Sequence, residues 1–171
     1  MIKIKLLLFI IFITNLHSET IVALLKGVEN NHRLHMVHNQ TPFLCKPYGV
    51  ESISELIYRT DVNSTCMKHL DEFRKAHPYE RHFAQSNLHV QQQYSVAGIK
   101  GLCLLSLSNQ YSYSEALLEA GFGRIPIAMQ YADVLLNHRF QRAVQRAKKN
   151  KAGMWSDINI QNCFLVTPKE N

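Results

Sequence analysis

Apolar and polar residues change their period several times along the chain, and each change marks an element. "TIVALLKG" (Thr20 to Gly27) is β-branched and apolar. "VENN" follows with turn residues, and "HRLHMVH" (His32 to His38) resumes the alternation through Leu34 and Met36, so the pair predicts a β-hairpin. Beyond Thr41-Pro42 the spacing becomes helical. Ile53, Leu56 and Ile57 share one face of "ESISELIYRT", and Cys66, His69, Leu70 and Phe73 share one of "NSTCMKHLDEFRKA", with Asn63, Ser64 or Thr65 as its cap. From Tyr79 to Leu107 the pattern reads as strand again, in "HVQQQYSV" and "IKGLCLLSL". Gly98 and Gly101 interrupt it, as at a bulge or a tight barrel corner.

"NQYSYSEALLEAGFG" predicts a turn, a Ser cap, a short helix through Ala116, Leu117 and Ala120, and a stop at Gly121. The longest helix is expected from about Ile127 to Lys151. Leu136, Phe140, Ala143 and Ala147 form its apolar stripe, and Arg139, Arg142 and Arg146 fall on another face, read as solvated. Cations in its last turn suit the helix dipole, Gly153 stops it, and Trp155 is expected to fold back onto the core.

The first eighteen residues change the picture of the whole. Lys3 and Lys5 precede an apolar run from Leu6 to Ile13, and Ser18 is a small residue at a cleavable position, which together make the three-part pattern of a secretory signal. The run is short for a membrane span. We therefore expect an exported protein, periplasmic or secreted, with residues 19–171 as a single domain and no transmembrane segment after signal removal. That portion carries 17 basic and 13 acidic side chains, a net +4, which permits contact with polyanions. Cys45, Cys66, Cys103 and Cys163 all lie within it, where an oxidising compartment favours pairing. No C-x-x-C spacing supports zinc or thioredoxin-like chemistry. Four cysteines allow three connectivities. Cys45–Cys66, which would staple the helical stretch, is the favoured pair, with Cys103–Cys163 as its complement.

Candidate chemistry is sparse. His32, His35 and His38 are three apart, but on a strand His35 faces away from the other two, and those two lie about 20 Å apart, so no metal site is expected there. Glu51 and Glu55 would sit one helical turn apart. No local Ser-His-Asp or Cys-His signature is present.

"SEALLEAGFGR" followed by "QRAVQRAKKNKAGMWSD" resembles the ending of the thermonuclease family, the staphylococcal-nuclease-like domains, in which an "EALLxxGxA" helix precedes a long helix closing in "AxxxxxGxW". "GIKGLCLLSL" resembles that family's Tyr-Gly-Arg-x-Leu-Ala-x-Leu strand, and "RLHMVHNQTP" its "RLxGIDxPE" strand and loop. The resemblance implies an α+β, mainly β fold: a five-stranded OB-type barrel packed by about three helices. A helical insertion at about 47–88 would follow its second or third strand. It also implies phosphodiester chemistry, in which carboxylates hold a hard cation and guanidinium groups stabilise phosphate charge.

Arg33 matches the first family arginine, and Lys100 stands where the second belongs, without the planar fork. These two are the family-matched catalytic candidates. Phe43 replaces the loop Glu, His38 or Asn39 replaces its Asp, and the first turn offers only Glu29. Three readings follow. The first is a degenerate thermonuclease-like domain that binds DNA, RNA or an envelope protein, with Arg33, Lys100, Tyr94, Tyr111, Tyr113, Phe122 and Arg124 as groove candidates. The second is an active nuclease with a rearranged site, for example Glu29 or Glu51 with Arg33 and Lys100, which alone calls for calcium. The third is a structural envelope module held by its disulfides.

Overall fold

The structure is a computed structural model that describes residues 19–59, 62–77, 82–99, 101–108, 110–127 and 134–164. The expected signal sequence and Lys100 lie outside the described residues.

The first predicted hairpin forms and sets the sheet. Strand β1 (Thr20–Asn30) pairs antiparallel with β2 (Arg33–His38), which pairs with β3 (Thr41–Cys45). The N-terminal half of β1 pairs on its other side with β5 (Gln93–Ile99), and β5 forms a hairpin with β6 (Leu102–Ser108). Gly101, at φ +78°, interrupts the strand pattern as expected, in the turn of that hairpin rather than at a bulge or barrel corner; Gly98 pairs in register with Cys103 and makes no interruption. A short β7 (Tyr111–Ser112) completes a six-stranded antiparallel sheet of order β3-β2-β1-β5-β6-β7. A separate pair joins β4 (Glu51–Ser52) to β8 (Gly123–Arg124).

The fold is therefore α+β, built on an antiparallel sheet, but with six strands in the main sheet rather than five, and no closed sheet is found among the described residues. One contact reaches across from the β3 end to β6. It is an isolated parallel bridge, Pro47↔Cys103, in which Cys103 N–H donates to the Lys46 carbonyl (2.9 Å) and Tyr48 N–H donates to the Cys103 carbonyl (2.8 Å).

Helices α1 (Ile53–Ile57), α2 (Ser64–Ala76) and α3 (His82–Asn87) occupy the expected insertion. Asn63 caps α2 through Thr65 N–H. The strand reading from Tyr79 fails over His82–Asn87, where a buried Ala84 seats a short helix instead. Helix α4 (Tyr113–Glu119) starts in a capping box: the Ser112 side chain accepts from Glu115 N–H, and the Glu115 carboxylate accepts from Ser112 N–H. Helix α5 (Val134–Lys149) buries Leu136, Phe140, Ala143 and Ala147, the stripe read from the sequence. A 3-10 turn (Gly153–Ser156) and α6 (Ile158–Cys163) close the described chain.

The endings of α4 and α5 meet backbone to backbone. Gly121 (φ +73°) and Gly153 (φ +51°) both take left-handed conformations, and Met154 N–H donates to the Gly121 carbonyl at 3.0 Å. That contact delivers Met154 and Trp155 into the core, where both are buried, and Lys148 caps the Trp155 ring at 4.5 Å. The two glycine-bearing turns, with the cation and tryptophan beside the second, thus serve helix packing.

The disulfides join Cys45 to Cys103 and Cys66 to Cys163, so the expected Cys45–Cys66 and Cys103–Cys163 pairs are both replaced. The reason is topological. The parallel bridge brings the end of β3 to β6, with Cα atoms 5.4 Å apart, and α2 packs on α6, with Cα atoms 5.6 Å apart. Two disulfides, and no helix among the described residues long and apolar enough to cross a membrane, are compatible with an exported protein.

Candidate anion-binding cleft

A cleft of about 730 Å³ opens between the tip of the β1–β2 hairpin, the end of β3, α1 and the C-terminal end of α2. Its sheet-side wall is fixed by the hairpin tip. Asn30 Oδ1 accepts from His32 N–H (2.8 Å), Asn31 Oδ1 accepts from Ala84 N–H (2.9 Å), and the Asn31 carbonyl accepts from the Tyr113 hydroxyl (3.0 Å). With Asn31 tied to α3 through its side chain and to α4 through its carbonyl, the tip holds His32 and Arg33 in set positions.

His32 Nε2 lies 3.1 Å from the Phe122 carbonyl oxygen. A carbonyl only accepts, so Nε2 carries the proton and Nδ1, buried and without a partner, is the lone-pair nitrogen. Burial pushes the imidazole down to about 4, against a smaller upward pull from Glu55, so the ring is neutral at pH 7.

The insertion supplies the facing wall. Ser52 and Glu55 form a second capping box at the start of α1, and Lys46 pairs with the Glu55 carboxylate. Burial raises Glu55, but Lys46 and Ser52 outweigh it and hold the carboxyl below its ordinary value. Phe73, Arg74 and His77 come from α2 and its cap, and Tyr58, 84% exposed, stands at the mouth. Lining residues thus include three full cations, Arg33, Lys46 and Arg74, against one carboxylate, Glu55. Arg33 and Arg74 lean on Glu29 (3.2 Å) and Asp71 (2.9 Å), which lie outside the lining. Such pairs orient the guanidinium groups while leaving them half-exposed. The remaining wall is apolar: Leu44, Ile53, Phe73 and Phe122.

Only part of the expected groove assembles here. Arg33 and Phe122 line the cleft. Tyr113 is fully buried with its hydroxyl on Asn31, and Tyr94 is buried with its hydroxyl accepting from His89 N–H, so neither has a ring face to offer a ligand. Both pack inward because alternate positions of a half-covered strand and the first turn of α4 face the core. Arg124 donates to Glu51 (3.1 Å) and lies over the Phe164 ring at 5.0 Å. Tyr111 donates to Glu119 and lies in another recess with Arg139, Arg142 and Arg146. There Arg139 is held by Glu115 and Arg146 by Glu119, while Arg142 is exposed. Lys46, Tyr58, Arg74 and His77 were missed by sequence reasoning. Each lies in or beside the insertion, and only the fold turns them toward Arg33.

The carboxylates present do not fit calcium. Glu29 is engaged by Arg33 and His35, Glu51 by Arg59 and Arg124, and Glu55 by Lys46 and Ser52. Each already faces cations, and among the described residues no group of three or more His, Cys, Asp or Glu could hold a metal ion. Nor do Glu51 and Glu55 share a helix face: Ser52 begins the helix, leaving Glu51 on β4. His32, His35 and His38 also stay apart, bonded respectively to Phe122, Glu29 and Val22.

No protein-family model matches this sequence, and no curated protein matches it.

Proposed function

We propose that this is an exported, thermonuclease-like domain that binds single-stranded nucleic acid in the cleft. The carrying observation is the composition of that cleft: Arg33, Lys46 and Arg74 surround an apolar wall with Tyr58 exposed at its edge. Cations that track phosphates and an aromatic on which a base stacks are the two requirements of sequence-tolerant single-strand binding. A relationship to the thermonuclease domains is supported by the "EALLEAG" and "AGMW" endings, whose glycines dock α4 against α5. An OB-type barrel is supported by the strand order and by the Pro47↔Cys103 bridge, which links the two ends of the β3-β2-β1-β5-β6 run.

The test is fluorescence anisotropy with labelled single-stranded DNA and RNA on the disulfide-intact protein. Three phosphate contacts give a log–log salt slope of about −2, or about a twentyfold affinity loss between 50 and 200 mM salt. Binding that ignores salt, or no binding at 50 mM, refutes the reading. Capture of an acidic peptide in place of nucleic acid would move the function to a protein partner.

A further inference from the structure

We propose that the cleft cleaves RNA without a metal ion, by transphosphorylation, with His77 as the catalytic base. This rests on the nucleic-acid reading of the same cleft. His77 is held by two constraints. Its Nδ1 lies 2.9 Å from the Phe73 carbonyl oxygen, and its ring stacks on Phe73 at 4.0 Å between centroids and 21° between planes. The carbonyl only accepts, so Nδ1 carries the hydrogen, and in the neutral ring Nε2 is a free lone pair. His77 is exposed and lines the cleft, so that lone pair belongs to an oriented imidazole at a ligand-sized opening.

The other imidazole of the cleft is not a proton carrier. His32 commits Nε2–H to the Phe122 carbonyl, and its Nδ1 is out of solvent reach. Lys46, Arg33 and Arg74 supply the positive charge that a metal would otherwise bring to a phosphate gaining charge.

The step balances with RNA alone. His77 Nε2 takes the proton of a 2′-hydroxyl, the 2′-oxygen bonds to the adjacent phosphorus, and the bond from phosphorus to the 5′-oxygen breaks. The 5′-oxygen takes a proton from water, and the resulting hydroxide takes the proton held by His77. The products are a 2′,3′-cyclic phosphate and a 5′-hydroxyl. DNA lacks the attacking group, so it binds and stays intact.

The experiment incubates the disulfide-intact protein with a mixed-sequence RNA oligonucleotide, its DNA equivalent and its 2′-O-methyl equivalent, all in excess EDTA. Products are identified by mass and binding is read in parallel. Expected is cleavage of the RNA alone to cyclic-phosphate ends. His77→Ala, purified identically, should lose about 10²- to 10⁴-fold in rate, the usual worth of a positioned base. Its affinity for the 2′-O-methyl strand, read in parallel, corrects that rate for any change in binding, so the loss is scored at saturating RNA. RNA bound but uncleaved, cleavage of DNA, or an equally active His77→Ala overturns this inference and leaves the binding function standing. Absence of RNA binding overturns this inference, and absence of binding to all three strands overturns both.

Discussion

Replacing Gly121 by Ala is the sharpest test of how the two C-terminal helices are joined. A Cβ at Gly121 would fall against the Ala152 carbonyl, 2.7 Å from its carbon and closer still to its oxygen, and 3.0 Å from Gly153 Cα. All of these are backbone atoms, so no side chain can swing away. The left-handed backbone at φ +73° adds about 1–2 kcal/mol of strain for any L side chain. Separating the two turns would weaken the Met154 N–H bond to the Gly121 carbonyl, worth about 1 kcal/mol. It would also shift the buried Met154 and Trp155, and overpacking of this kind costs about 1–3 kcal/mol. The expected loss is about 3–6 kcal/mol, a large share of a typical 5–15 kcal/mol. Gly101→Ala is the control. Its φ of +78° imposes the same strain, but among the described residues nothing lies within 4 Å of its Cβ position, so it should lose only about 1–2 kcal/mol. Urea titrations of the oxidised proteins read the difference, about 1–2 M in midpoint at ordinary m-values. Equal losses for the two variants would refute the backbone-to-backbone contact.

Other consequences follow from single groups. Glu115→Gln removes the charge that seats Arg139 and weakens the Ser112 cap; with the carboxylate 5% exposed and Arg139 33% exposed, urea denaturation should show a loss of about 2–3 kcal/mol. Burial raises that carboxyl, but Arg139 and Ser112 hold it below its ordinary 4.5, so wild type should lose this contribution as the pH falls from about 4.5 through the lower folded value, and Glu115→Gln should not. His32, depressed from 6.5 to about 4, should make stability fall as the pH drops between those values, because the unfolded chain takes up the proton first. The full effect is about 3 kcal/mol, and a His32→Asn variant with a flat profile there confirms its source. Cys66→Ser with Cys163→Ser should cost about 2–5 kcal/mol and raise amide exchange first in α2 and α6, since α2 packs on α1 and α6.

The elements carrying a strong period were legible in the chain. The α5 stripe, a Ser cap on α4 and the first hairpin each follow from residues close in sequence, and each forms, with Ser112 as the cap and with the hairpin turn at Asn31-His32, since Val28–Asn30 stay in β1. The disulfides were not, because Cys45 finds Cys103 only after β3 reaches β6 across the sheet. Tyr113 shows the same limit within one turn: the serines beside it announced a helix start, but nothing local announced that the ring would be buried on Asn31, 82 residues away. Arg33 was found because it matched a motif. Its cleft partners were hidden, since Arg74 and His77 read locally as an ordinary helix end and Lys46 as a loop cation, and only the packing of α1 and α2 beside the hairpin tip brings them together.

Affinity for a single-stranded oligonucleotide across four alanine variants tests the central claim most directly. Arg33→Ala, Lys46→Ala and Arg74→Ala should each weaken binding at 50 mM salt and reduce the magnitude of the salt slope by about 0.7, the share of one phosphate contact, while Arg142→Ala, from the exposed face of α5, should change neither. Full affinity in the three cleft variants, or an equal loss in Arg142→Ala, would contradict the account and move the binding surface off the cleft.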